Sequence, residues 1–192
     1  KSLETALENW NLPKSKLQEI GPITVFSSNM SASNATHQAS SDANANELLE
    51  VHNQIVRAAL STKKGREIKH TGNGIIASFE RVADSLDAAI RIQRDTLAHN
   101  QKNSNLALTI KIGINTGNSR VEGNDPYGSI TQLSARIVEI AKAGQIFVSE
   151  NVRVICMGQG YNFTSRGNFE ITGYHASIHL FEVLWRDKNN SG

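Results

Sequence analysis

The sequence predicts an α+β fold with a ferredoxin-like βαββαβ core and an additional C-terminal αβ and β-hairpin. Three observations carry that prediction. Leu106, Leu108, Ile110, Ile112 and Ile114 alternate without a break against Ala107, Thr109, Lys111 and Gly113, the period-two signature of a half-buried strand. Segments 43–61 and 82–100 repeat apolar residues at helical spacing. Between them, within 66–79, Asn73-Gly74 stands between two strand-like runs. That pair suits a type I′ hairpin turn, whose two central residues need positive φ. Helices on one face of an antiparallel sheet are the expected layering.

The elements follow in order. Residues 3–20 carry a sparse helical pattern, Leu3, Leu7, Trp10 and Leu17, broken by Pro13, and read as a lead-in segment. Ile23-Thr24-Val25-Phe26 is a short apolar, β-rich run after Gly21-Pro22, hence a buried strand. The small polar residues 27–34 predict a loop. Helix 43–61 sets Leu48, Leu49, His52, Ile55, Val56, Ala59 and Leu60 on one side, and His52 there reads as a packed, hydrogen-bonded histidine rather than a ligand. Lys63-Lys64-Gly65 ends it, cations suiting the C-terminus and Gly the cap. After the hairpin, helix 82–100 has Val82, Leu86, Ala89, Ile90, Gln93 and Leu97 as its inner stripe. Asn115-Thr116-Gly117-Asn118 is expected to turn the chain after the alternating strand, with a loop running to Gly128. A helix over 129–142 turns Ile130, Leu133, Ile137, Val138 and Ala141 inward. A strand at 145–148, a short helix at 149–157 and strands at 161–171 and 177–185 complete the chain.

Bulk properties exclude several classes. The chain has 192 residues, 39% hydrophobic and 20% charged, ordinary globular material for one core. A net charge of +2 gives no case for nucleic acid or an anionic membrane surface. No run approaches the roughly 20 apolar residues that span a bilayer, so no membrane contact is expected from this segment. The single cysteine, Cys156, cannot form an intrachain disulfide, and a reducing, cytoplasmic setting fits.

Five segments together resemble the class III adenylate/guanylate cyclase catalytic domain. They are Lys69-His70-Thr71-Gly72-Asn73-Gly74, Ile112-Gly113-Ile114-Asn115-Thr116-Gly117, Asp125-Pro126-Tyr127-Gly128, Gln132-Leu133-Ser134-Ala135-Arg136 and Gly144-Gln145-Ile146-Phe147-Val148-Ser149-Glu150. Each alone is unspecific; their order and spacing are specific. The resemblance runs from about Thr24 to Trp185. It implies the class III nucleotidyl cyclase fold and divides the chain into a lead-in or linker helix (1–21), a cyclase homology domain (22–186) and a tail (187–192). The family turns a nucleoside triphosphate into a 3′,5′-cyclic nucleotide and pyrophosphate, at sites on a dimer interface, with two Mg²⁺ or Mn²⁺ ions.

The resemblance also assigns roles by position. The family's two metal-binding aspartates fall on Asn29 and Asn73. Hard cations among phosphates need anionic oxygen, and an amide oxygen is neutral, so metal binding is expected to be weak or absent here. Lys69, four residues before Asn73, matches the adenylate-type base reader. Asp125, seven residues before Gln132, matches its partner. Lys donates to adenine N1 and Asp accepts from the N6 amino group. Read without the family, Lys69 is a solvated strand residue and Asp125-Pro126 a turn opener. Arg136 matches the arginine that stabilises the transition-state phosphate; otherwise it is an exposed helical arginine. Gln132 stands where the family's ribose-orienting Asn stands, one methylene longer. In Ile171-Thr172-Gly173, Thr172 stands where a triphosphate-binding Lys is usual.

The expected function is thus a cyclase homology domain, adenylate-type by ancestry, with little or no activity alone. It would act as a pseudoenzyme, a dimerising or nucleotide-binding module in signal transduction that takes ATP or another purine nucleotide. The alternative is a working adenylate cyclase, using Mn²⁺ with unusual ligands or completing its site as a heterodimer with a complete cyclase chain. A third reading is an interaction domain without nucleotide.

Overall fold

The computed structural model describes residues 22–32, 42–118 and 128–187. The lead-in segment 1–21, the tail beyond Asp187, and Asp125 lie outside them. The chain forms β1 (Pro22–Ala32), α1 (Asp42–Thr62), β2 (Arg66–Thr71), β3 (Gly74–Phe79), α2 (Val82–Lys102), β4 (Leu108–Asn118), α3 (Gly128–Ile140), β5 (Ile146–Ser149), α4 (Glu150–Cys156), β6 (Asn162–Phe169) and β7 (Ile178–Leu184). The strands make one sheet in the order β2-β3-β1-β4-β5-β7-β6. The predicted α+β, βαββαβ core with its C-terminal extension is therefore the observed fold. Among the described residues, no helix is long and apolar enough to cross a membrane.

Two strands run further than their apolar residues. The loop expected at 27–34 is corrected: β1 continues to Ala32, paired along β4 from Pro22↔Asn118 to Ala32↔Leu108. Small polar residues stay in the strand because they find partners. Ser27 Oγ lies 2.8 Å from Ser134 Oγ, and Ser28 Oγ 3.0 Å from His52 Nε2. The same ladder corrects the turn expected at 115–118, which is the end of β4 lying against Pro22–Val25.

The layering differs from the expected single helical face. Phe26, Ile110, Ile112, Ile114 and Ile75 join α1 and α2 in the main apolar cluster. α3 packs on the opposite face, where Ile130 meets Val25 and Ile76, and Ile137 meets Phe147 and Leu180. Gly113 permits that contact: a Cβ there would lie 2.5 Å from the Val138 backbone nitrogen. The sheet is also mixed, since β4 and β5 run parallel. The inner stripe of α2 is rotated from the expected one: Leu97 is exposed, while Ser85, Ile92 and Thr96 are buried with Leu86, Ala89 and Gln93. Polar residues occupy the true stripe because they bond within the fold, Thr96 to the Ile92 carbonyl at 2.7 Å and Gln93 to the Ile110 carbonyl at 2.8 Å. At the end of α1 the left-handed residue is Lys64, φ 56°, not Gly65. Gly65 instead leaves room for Leu60 and Phe79.

Candidate functional site

β1 and the β2–β3 turn bring Asn29 and Asn73 together. Met30 N–H donates to the Asn73 carbonyl at 2.8 Å, which stitches the turn to β1. Thr71 pairs with Gly74, so the two turn residues are Gly72 and Asn73. The expected type I′ turn at Asn73-Gly74 is corrected, because none of these residues has a left-handed φ. Gly74 is required by space. A Cβ on it would stand 1.7 Å from the Ser28 carbonyl oxygen and 2.9 Å from Asn29 Oδ1.

Strand alternation then assigns faces. Val25 and Ser27 face α3, through Ile130 and Ser134, and Asn29 follows them on that side. Lys69 is exposed on β2 opposite Ile76, which packs with Val25 and Ile130, so Lys69 is on the same face. Its neighbour His70 turns the other way, with Nε2 3.2 Å from Asn53 Oδ1 on α1. Gln132 and Arg136 lie one turn apart on the exposed side of α3, opposite the buried Ile130, Ser134, Ile137 and Val138. Arg136 pairs with Glu139 at 3.3 Å, in solvent. The turn 171–174 lies beside α3: Tyr174 Oη donates to the Ser129 carbonyl at 3.5 Å, and Thr172 is exposed. Burial raises the Tyr174 phenol, with Arg136 opposing.

Asn29 and Lys69 thus lie on one face of the sheet, and α3, which carries Gln132 and Arg136 on its outer side, packs against that face. A cavity of about 300 Å³ beside Thr24, Arg81 and Cys156 includes none of them, nor does one of about 250 Å³ beside Gln93, Trp185 and Arg186. The donors at Asn29 and Asn73 are neutral amide and carbonyl oxygens. Among the described residues no three His, Cys, Asp or Glu side chains gather to hold a metal. Asp125 and the side chain of Asp42 lie outside the described residues. The described residues therefore do not fit a divalent-metal pair.

Sequence reasoning missed the polar support beneath the turn. Ser28 Oγ accepts from Ile75 N–H at 3.1 Å and contacts His52, whose side chain is fully buried. A histidine on an apolar helix face needs a polar partner, and the Ser27-Ser28 pair inside a buried strand was the available signal.

The sequence profile of the adenylate and guanylate cyclase catalytic domain matches residues 15–183. The chain belongs to that family. A putative adenylate cyclase of Rhizobium meliloti (strain 1021) is 23% identical over 140 residues, 72% of this chain. The match covers only 24% of that relative's length. An adenylate/guanylate cyclase/hydrolase from Silicibacter pomeroyi superposes with a TM-score of 0.75 at 20% identity, over 85% of this chain and 96% of that one. The guanylate cyclase domain of RhGC from Catenaria anguillulae, solved in complex with GTP, gives 0.70 at 16% identity, over 88% of this chain and 98% of that one. Both likenesses show that this cyclase-family chain has the class III fold; the family works with divalent metals.

Proposed function

We propose that this domain is an adenylate-type member of its family that binds a purine nucleotide as a dimer and has lost most or all cyclase activity when alone. One observation carries the reading. The fold brings Asn29 and Asn73 together, and these are the asparagines on which the resemblance sets the family's two metal-binding aspartates. Two formal negative charges are missing where Mg²⁺ or Mn²⁺ would need them. Gln132 and Thr172 depart from the family at two further positions, while the core residues pack normally. The retained Lys69 and Arg136 support nucleotide binding, and the GTP-bound relative supports a purine triphosphate as the ligand class. The exposure of Lys69, Gln132 and Arg136 supports a second chain closing the site, either another copy or a complete cyclase that brings the aspartates. Such a module suits signal transduction, in a reducing cytoplasm given the buried Cys156 thiol.

The test is cyclic AMP formation from Mn²⁺-ATP by the wild type and by an Asn29→Asp/Asn73→Asp variant. A silent wild type beside an active variant is the expected result. Turnover by unaided wild type overturns the reading. Silence in both places the loss at Gln132, Thr172 or the dimer as well, and a binding role then leads. The alternative, a heterodimeric adenylate cyclase, predicts that the silent wild type becomes active when mixed with a complete cyclase chain whose own Lys and Arg have been removed.

A further inference from the structure

The regular β1–β3 ladder ends at Ser27↔Ile76, short of Asn29. Beyond it a side chain joins the strands. Ile75 N–H donates to Ser28 Oγ at 3.1 Å, and that oxygen lies 3.3 Å from the Ile75 carbonyl and 3.0 Å from His52 Nε2. His52 Nδ1 lies 2.9 Å from Asn53 Oδ1, an acceptor only, so Nδ1 carries a hydrogen. In neutral His52, Nε2 is then an acceptor, and the Ser28 hydroxyl donates to it. The bonds run in one direction: Ile75 N–H to Ser28, Ser28 O–H to His52, His52 N–H to Asn53. His70 Nε2 reaches the same Asn53 oxygen from β2 at 3.2 Å.

Protonation of His52 reverses one link. Nε2 becomes a donor, Ser28 Oγ must accept twice, and its hydrogen turns to the Ile75 carbonyl. The imidazolium would also sit fully buried in the layer holding Phe26, Leu48, Val56 and Ile75, where an unpaired charge is costly. The groups around it do not offset that. Arg57 on α1 and His70 on β2 oppose a second cation, and Glu67 on β2 is engaged by Arg57 at 2.9 Å. β1, β3 and β4 present Phe26, Ile75, Ile110 and Ile112 to this layer. On α2, Asp87 is held by Lys63 and Tyr161, and Asp95 by Arg91. Burial first, with these cations, holds His52 below the usual histidine range, against the Asn53 bond.

We propose that Ser28 and His52 are positioning residues for the Asn29–Asn73 turn, and that neutral His52 holds β1 against β3 at that point while its protonation favours an opened hairpin in which the imidazolium reaches water. Its meaning for nucleotide rests on the proposed function, but the latch belongs to the hairpin and is read without nucleotide. The experiment is amide hydrogen exchange at Met30 and Ile75 in the full chain, from about pH 8 to about pH 5, as protection corrected for intrinsic exchange. Protection in the wild type is expected to fall about tenfold per pH unit below about 6.5, the ordinary histidine value, until the folded value of His52 is passed. His52→Gln, whose amide oxygen accepts from Ser28 without titrating, is expected to give a flat profile. A slope that survives His52→Gln, or disappears in His70→Gln with His52 intact, overturns the proposal. Imidazole ¹⁵N shifts of the wild type give a second readout: an Nδ1–H tautomer at about pH 8 is expected, and an Nε2–H tautomer overturns it. If the latch holds and no purine nucleotide binds, the proposed function fails and the latch stands; if nucleotide binds and the profile is flat, the reverse.

Discussion

A methyl group at Gly74 would collide with the Ser28 carbonyl oxygen at 1.7 Å, a backbone atom that cannot swing aside as a flexible side chain could. Overpacking commonly destabilises by about 1–3 kcal/mol, and a backbone-on-backbone clash belongs at or above the top of that range. Gly74→Ala is therefore expected to lose about 3 kcal/mol or more in urea unfolding. Gly72 is the control, since a Cβ there meets nothing within 4 Å and its φ is not left-handed. Gly72→Ala should stay within about 0.5 kcal/mol of wild type. Equal stability of the two variants would mean that β1 does not approach the turn as described. The same comparison separates two meanings of the Gly-Asn-Gly turn. Its second glycine serves proximity to β1, the strand that carries Asn29, rather than backbone handedness.

α3 is held to the sheet by absence of bulk at Gly113 and by the Ser27–Ser134 bond of 2.8 Å. Gly113→Ala puts a Cβ 2.5 Å from the Val138 nitrogen and 2.7 Å from the Ser134 carbonyl, so the helix must move away. A loss of about 1–3 kcal/mol is expected, together with weaker nucleotide binding, because Gln132 and Arg136 travel with α3. A loss of stability with unchanged nucleotide affinity would detach α3 from the site. Elements defined by apolar period were legible in the sequence, namely α1, α2 and β4 up to Ile114, and the β2–β3 hairpin was legible from its turn residues. Elements defined by partners were not. The second half of β1 and the end of β4 read as loop and turn because Ser27, Ser28, Asn115 and Thr116 are polar, and only the pairing of β1 with β4 makes them strand. The side on which α3 packs was hidden for a related reason. Its period marks an inner stripe, but the deciding feature is a missing side chain on β4. Asn29 and Asn73 were legible as motif positions; that they meet depends on the unpredicted half of β1.

At the scale of the whole molecule, the proposed function turns on a nucleotide site whose two metal positions hold asparagine. Ligand that binds only the folded protein stabilises it by RT ln(1 + [L]/Kd), about 1.4 kcal/mol at tenfold saturation. For a chain of this size that raises Tm by about 3–6 °C. ATP is expected to produce such a shift, and EDTA to leave it unchanged within about 1 °C, because neutral asparagines stand at both metal positions. In Asn29→Asp/Asn73→Asp the balance should change: two carboxylates placed together repel without a cation, so ATP stabilises poorly in EDTA and well with Mn²⁺. Lys69→Glu tests the base reader in the same assay, since a carboxylate at that position accepts where Lys donates; the ATP shift should shrink relative to that of GTP. Dimer closure adds a concentration term. If a second copy completes the site, a tenfold increase in protein raises Tm both with and without nucleotide, and sedimentation shows the dimer. A shift abolished by EDTA in the wild type would instead mean that the domain assembles a metal site from residues other than those on this face, and the assignment of Asn29 and Asn73 as charge-depleted positions would lose its consequence for function.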